Sequence, residues 1–189
     1  MQRVVIIGAG QAGCSAAFAL RKRGFDGEII LLGEEPDPPY QRPPLSKSYL
    51  LGDMARARLY LKPPGAYTDA GIDLRTGCEA IAIDAQQMRV ETAQGPLTAD
   101  AIILATGSKP IKLPEAVTGG LAGIHYVRGL ADIDAIRTAI PDCKNAVIIG
   151  GGYIGLDVEC RATPTLGGEF AESCQWAVPS DPDPNAKHF

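Results

Sequence analysis

Val4-Val5-Ile6-Ile7-Gly8-Ala9-Gly10-Gln11-Ala12-Gly13 stands almost at the start of the chain and decides how the rest is read. Four consecutive β-leaning apolar residues run into glycines spaced G-x-G-x-x-G, then into the helix-forming run Cys14-Ser15-Ala16-Ala17-Phe18-Ala19-Leu20-Arg21. In that order the first glycine permits a tight strand-to-helix turn. The second lets backbone approach a pyrophosphate, and the third lets helix and strand pack closely. Phosphates held there meet unpaired N–H groups at a helix N-terminus, where the macrodipole favours negative charge. Alone the motif is a weak signal, so its weight depends on its surroundings.

Those surroundings are of ordinary globular composition. Of 189 residues, 46% are hydrophobic and 21% charged, within the usual range for a packed domain. A net charge of -4 and a pI near 5.2 give no general pull toward nucleic acid or an anionic membrane. No apolar run approaches the ~20 residues that cross a bilayer, and the chain enters a strand after Met1-Gln2-Arg3 with no room for a signal peptide. Five cysteines (Cys14, Cys78, Cys143, Cys160 and Cys174) are scattered and never spaced C-x-x-C. That pattern fits reduced thiols in a cytoplasmic protein and argues against a zinc site or a disulfide framework.

Outward from the glycines, residues 4–32 read as a βαβ unit. The first strand is continuously apolar, as expected when both faces of a parallel sheet are covered. The helix is predicted from about Ala12 to Arg23, ending in cations and Gly24. Glu28-Ile29-Ile30-Leu31-Leu32 is the second strand. Glu34 follows it, 21 residues past Gly13. An acid at that offset can accept hydrogen bonds from an adenosine ribose, although an exposed Glu at a strand end is also common. No arginine stands beside it in sequence to receive a 2′-phosphate.

The next segment, Glu35-Pro36-Asp37-Pro38-Pro39-Tyr40-Gln41-Arg42-Pro43-Pro44-Leu45-Ser46-Lys47-Ser48-Tyr49-Leu50, holds too many prolines for a strand or a helix interior. It reads as a stiff loop entering a short helix near Leu45, with a polyproline partner motif as the alternative. Residues 72–92 then show three short strand patterns, at 72–77, 80–84 and 88–92, as in an antiparallel meander. Gln94-Gly95 makes a turn. Ala101-Ile102-Ile103-Leu104-Ala105-Thr106-Gly107 repeats the strand-to-glycine pattern, though it could be an ordinary βα turn. His125-Tyr126-Val127-Arg128 looks like a strand. Leu130, Ile133, Ile136 and Ile140 then mark one face of a helix capped near Asp132 and ended by Pro141. His125 and His188 have no visible acid, base or metal partner and read as structural or surface residues. Asn145-Ala146-Val147-Ile148-Ile149-Gly150-Gly151-Gly152-Tyr153-Ile154-Gly155 is a second strand-to-G-x-G-x-x-G unit.

The series IIGAGQAG, GE and PYQRPPLSKSYL resembles the start of the flavin-dependent ferredoxin reductases, the putidaredoxin- and rubredoxin-reductase-like enzymes of the pyridine nucleotide-disulfide oxidoreductase superfamily. RPPLSK separates this group from the glutathione-reductase group, which places a redox-active cysteine pair on the corresponding helix. Here no cysteine lies between Cys14 and Cys78, which argues against a thiol-dependent oxidoreductase. The resemblance implies an α/β chain divided in three. Residues 1–115 would be a Rossmann-like FAD-binding domain, a parallel sheet with βαβ units plus an antiparallel meander. Residues 116–157 would begin a second, NAD(P)-binding Rossmann unit, and 158–189 an irregular Pro-rich tail.

The same resemblance implies that Gly8, Ala9, Gly10, Ala12 and Gly13 hold an FAD pyrophosphate, Glu34 its ribose, and that Ala80 offers backbone to its adenine. Arg42 would neutralise phosphate, and Thr106, Gly107 and Arg128 would complete the FAD wall. Arg128 read alone is a solvated cation. Gly150, Gly152, Tyr153 and Gly155 would hold NAD(P)H, with NADH preferred. Lys47 and Asp157 are the implied catalytic pair, Lys47 facing the flavin and Asp157 standing where the family has Glu, one methylene longer. The implied partner is a ferredoxin-type iron–sulfur protein or a rubredoxin, which Arg56 and Arg58 could greet.

After Leu156 the family pattern breaks. Pro164 costs ~3 kcal/mol or more inside a helix and Gly167-Gly168 roughly 1 kcal/mol each, so the expected helix stops early. Trp176 stands where a counterpart of Glu34 would fall. The expectation is a reading frame lost or a gene truncated near Val158, with a natural divergent tail as the alternative, and with weak or no FAD retention and negligible ferredoxin reduction. The competing reading is a non-catalytic dinucleotide-binding fragment.

Overall fold

The computed structural model describes residues 2–143 and 146–158. Its centre is a four-stranded parallel sheet in the order β3-β2-β1-β7, built from Arg3–Ile7 (β1), Glu28–Leu32 (β2), Ile72–Arg75 (β3) and Ala101–Leu104 (β7). Val4 pairs with Ile29 on one side and Ala101 on the other, so β1 is central. Its apolar run is continuous because alternate residues feed two cores. Val4 and Ile6, with Ile29, Leu31 and Ile72, meet Cys14 and Ala17 of helix α1 (Gln11–Lys22) and Tyr67 of the short helix α2 (Gly65–Asp69). Val5 and Ile7, with Ile30 and Leu32, meet Cys78 and Val90 on the opposite face. Strands covered on both faces need no polar alternation.

That second cover is an antiparallel sheet of Ala80–Asp84 (β4), Arg89–Thr92 (β5) and Gly95–Thr98 (β6). Two sequence expectations change here. Residues 72–75 join the parallel sheet beside β2, with Ile29 opposite Ile72, and are not part of the meander. A buried apolar strand end beside β2 is worth more there than on a half-wet ribbon. The meander's third strand is β6, and the Gln94-Gly95 turn is the hinge into it, with Gly95 at φ 113.

Arg21 is read from sequence only as a cation near a helix C-terminus, but its guanidinium gathers four carbonyls. It donates to Ala70 at 2.8 Å, Phe25 and Gly27 at 2.7 Å each, and Gly71 at 2.6 Å. One side chain thus closes the α1–β2 turn and pins the α2–β3 turn against it.

The Pro-rich segment is a folded lobe with its own core. Gln41 N–H donates to Leu59 O at 2.9 Å and Leu61 N–H to Pro39 O at 2.8 Å, closing the lobe at its neck. Inside, Tyr40, Leu45, Tyr49, Leu50 and Leu59 pack on Leu130 and Ile133 of helix α4 (Leu130–Ala139). A one-turn helix, α3 (Glu115–Thr118), lies between β7 and α4. The Gly129 N–H donates to Asp132 Oδ2 at 2.7 Å, which caps α4 as its sequence suggests. Arg56 donates to Asp37 at 2.7 Å and Asp134 at 3.1 Å, and the Tyr49 hydroxyl to Asp134 at 2.7 Å. Arg56 therefore ties the lobe to α4, where the sequence suggested a docking cation; Arg58 stays exposed.

Two expected strands are absent among the described residues. Residues 125–128 are irregular, and 146–149 are extended without a pairing strand, leaving Val147 86% and Ile149 73% exposed. A β-strand needs a neighbour to satisfy its backbone groups, and no described segment supplies one. Residues 159–189, which contain Pro164, Gly167-Gly168 and Trp176, lie outside the described residues, as does most of the expected 158–189 tail.

Two buried phenols make the core sensitive to alkali. Burial, then the hydrogen bond to Glu35, holds Tyr40 above the ordinary 10.0; burial, then contact with Cys14 Sγ, does the same for Tyr67. A group whose pKa is higher folded than unfolded contributes its full stabilisation below the unfolded value and loses it as pH rises beyond. The denaturant midpoint is therefore expected to decline once pH passes about 10, and less steeply in the Tyr40→Phe/Tyr67→Phe double variant. Equal alkaline slopes in the two proteins would assign the transition to other groups.

Candidate dinucleotide-binding site

The three glycines of the first turn have three distinct surroundings. Gly8 sits at φ +112, and a Cβ there would lie 2.1 Å from Ala105 O. A Cβ on Gly13 would lie 1.9 Å from Gly8 O. Gly10 meets nothing within 4 Å. The first and third are therefore closed by backbone, and the second opens to solvent at the head of α1. That helix has no side-chain cap and no acid in its first turn, so its leading N–H groups and positive dipole end are available to an anion. Ala9 and Ala12 flank the opening. These are the features a dinucleotide pyrophosphate requires, and the residues present fit one.

Around the turn the carboxyl edge of the sheet collects most of the sequence-predicted residues. Ala105 N–H donates to Ile7 O at 2.7 Å, which sets Thr106 and Gly107 directly beside Gly8. Gly107 is at φ +68, and a Cβ there would lie 3.3 Å from an Arg128 guanidinium nitrogen. Glu34, just past β2, pairs with Lys109 at 3.0 Å. Hydrogen bonding to Glu34 holds the Lys109 ammonium above its ordinary range. A cation thus does stand beside Glu34, brought from the segment after β7 and so invisible in the local sequence. Ala80 opens β4 opposite Thr92. Gly77 N–H to Glu35 O at 2.9 Å and Cys78 N–H to Gly33 O at 2.7 Å fasten the approach to Ala80 against the end of β2.

Arg42 lies in a shared hub. It donates to Glu35 Oε1 at 2.5 Å, to the Tyr40 hydroxyl at 3.1 Å and to Arg128 O at 2.8 Å. The buried Tyr40 hydroxyl in turn donates to Glu35 and accepts from Leu130 N–H at 3.1 Å. The sequence assigns no role to Glu35 or Tyr40. Their only signal was an acid and a phenol flanking a Pro-rich stretch, which many surface loops share.

The second glycine unit repeats the first turn locally. Gly150 has φ +115 and a Cβ on Gly155 would lie 2.1 Å from Gly150 O, while Gly152 is open. Helix begins at Tyr153, which is 91% exposed. Two residues past Gly155, Asp157 Oδ2 lies 3.1 Å from Lys47 Nζ. Asp157 reaches the lysine although it is one methylene shorter than the Glu of the family pattern. The pair joins the Pro-rich lobe to the second turn, and Val158 packs on the lobe core.

A parallel sheet with a phosphate-sized glycine turn, a folded RPPLSK lobe and a second such turn defines a class of two-nucleotide α/β proteins. The family model described as pyridine nucleotide-disulphide oxidoreductase matches residues 2–165, and the chain belongs to that family. Among individual relatives, rhodocoxin reductase of Rhodococcus erythropolis is 44% identical over 161 residues, covering 84% of this chain and 37% of the relative. Rubredoxin-NAD(+) reductase of Pseudomonas putida is 38% identical over 160 residues, covering 84% of this chain and 41% of the relative. The reductase in the covalent putidaredoxin reductase–putidaredoxin complex superposes with a TM-score of 0.81 at 40% identity, over 87% of this chain and 40% of that one. The chain thus spans about two-fifths of the length of these relatives. Among the described residues no helix is long and apolar enough to cross a membrane, and no cluster of His, Cys, Asp and Glu could hold a metal.

Proposed function

We propose that this chain binds FAD at the first glycine turn and NAD(P)H, with NADH preferred, at the second. In the whole protein electrons would then pass to a ferredoxin-type iron–sulfur protein or a rubredoxin. The observation that carries the reading is the Lys47–Asp157 pair at 3.1 Å, which ties the lobe beside one nucleotide turn to the helix of the other. FAD, when bound, supplies the hydride acceptor and the means of releasing electrons singly. The protein supplies placement and charge. Open backbone at Gly10 and the uncapped head of α1 would take the pyrophosphate, and Glu34 would accept from the ribose hydroxyls. Arg42 and Arg128 would offset phosphate charge. Lys47 would hold a positive charge at the flavin ring, with Asp157 fixing its direction.

Titration of the chain with FAD is expected to quench flavin fluorescence saturably, anaerobic NADH without an acceptor to bleach the bound flavin, and ferricyanide added afterwards to restore its colour as it is itself reduced. Lys47→Met is expected to slow that bleaching about tenfold or more, the scale of one lost electrostatic contact, while leaving FAD affinity within about twofold. Unchanged bleaching in Lys47→Met would remove the lysine from the chemistry. A chain that binds nucleotide without NADH-dependent bleaching would favour the non-catalytic reading instead.

A further inference from the structure

Glu35 has no assigned part in nucleotide binding, yet it stands where three separate segments meet. It follows β2. Its carboxylate receives Arg42 at 2.5 Å and the Tyr40 hydroxyl, both from the Pro-rich lobe. A Cβ built on Gly129, at the head of α4, would lie 3.3 Å from Glu35 Oε2 and 3.5 Å from the Tyr40 hydroxyl, so the head of α4 rests directly against this pair. Tyr40 then passes the contact to Leu130 N–H at 3.1 Å, and Arg42 passes it to Arg128 O at 2.8 Å.

Resting on the FAD reading above, we infer that Glu35 is a positioning residue that sets both arginines of the phosphate wall through one hub. Arginine offers five N–H donors, and three of the Arg42 donors are engaged by Glu35, Tyr40 and Arg128. The others remain for an anion, and their direction is set because the planar fork cannot turn without breaking all three contacts. The Arg42 guanidinium is further seated 5.0 Å from the Tyr40 ring centre. Arg128 is drawn in by its carbonyl, and its guanidinium lies against Gly107 beside the first turn. A carboxylate next to a phosphate-binding arginine lowers the local positive potential. Its presence is therefore explained by orientation and not by charge.

That distinction makes the inference testable with FAD as the probe, by fluorescence quenching, in the full chain and in Glu35→Ala, Glu35→Gln, Arg42→Gln and the Glu35→Ala/Arg42→Gln double variant. Glu35→Ala is expected to weaken FAD binding about tenfold, the scale of one charge-assisted hydrogen bond. Glu35→Gln, which keeps an acceptor, should recover most of that loss. In the Arg42→Gln background, removal of Glu35 should cost less than about twofold, because a positioning group has no effect once the group it positions is gone. Tyr40→Phe, which keeps the buried ring, should weaken binding like Glu35→Ala. Additive losses in the double variant, or tighter FAD binding on losing Glu35, would overturn the proposal while leaving the FAD reading intact. Failure of the unsubstituted chain to bind FAD would overturn both.

Discussion

Gly8→Ala and Gly13→Ala are each expected to unfold the first turn, whereas Gly10→Ala should leave the fold standing and abolish flavin binding. The added methyl at Gly8 would meet Ala105 O at 2.1 Å in a backbone conformation of φ +112, and that at Gly13 would meet Gly8 O at 1.9 Å. Both obstacles are backbone, and Ala105 is fastened to Ile7 by a 2.7 Å hydrogen bond. Relief would shift β7 against β1 and expose Val5 and Ile6, which are fully buried. A cost of about 4 kcal/mol or more is expected for either, a large share of the 5–15 kcal/mol of a typical domain. Gly10 has open space, so Ala there costs at most about 1 kcal/mol as a poorer N-cap. Its methyl would occupy the place proposed above for the pyrophosphate. Thermal melts and flavin titration on the three variants separate these effects. A Gly8→Ala protein that melts like the parent would contradict the turn geometry, and normal flavin affinity in Gly10→Ala would move the phosphate elsewhere.

Leu130→Ala is expected to release α4 from the Pro-rich lobe. Leu130 and Ile133 are fully buried against the Tyr40–Leu45–Leu59 cluster, and a buried Leu-to-Ala change costs about 2–5 kcal/mol depending on how far the site collapses. The lost packing lies directly under the Tyr40–Leu130 and Arg42–Arg128 hydrogen bonds, so the phosphate wall should loosen with it. Hydrogen exchange across 130–139 should rise and the denaturant midpoint fall. Ile83→Ala is the control. It lies on β4, outside the lobe–α4 core, at 43% exposure, and a change at so exposed a side chain is worth within about 0.5 kcal/mol. Equal effects of the two substitutions would show that the lobe and α4 do not share a core.

Local chemistry made much of the fold legible. The apolar runs of β1, β2 and β7, the glycine spacing, the face of α4 and the Asp132 cap all follow from short-range rules of burial, turn geometry and capping. The antiparallel strand β6 gives no strand signal in the sequence because Gly95 and Pro96 read as loop residues. The placement of Ile72–Arg75 is not legible, because a four-residue strand carries too few residues to reveal which sheet it joins. Residues 146–149 show the converse. Their pattern is that of a strand, but a strand exists only when a neighbour takes its hydrogen bonds.

From sequence alone, then, came the family likeness, the two glycine turns and the residue types of the site. What the tertiary structure decided is who meets whom. It brought Lys109 to Glu34 across 75 positions, Arg56 to Asp134 across 78, and Tyr40 to Leu130 across 90. The reason is physical. A glycine turn is specified by clashes within a few bonds, which the sequence carries in its spacing. A charge partner is specified by which strand ends and loop cores come together in space, and that follows only when the sheet order β3-β2-β1-β7 and the packing of the lobe on α4 are in place.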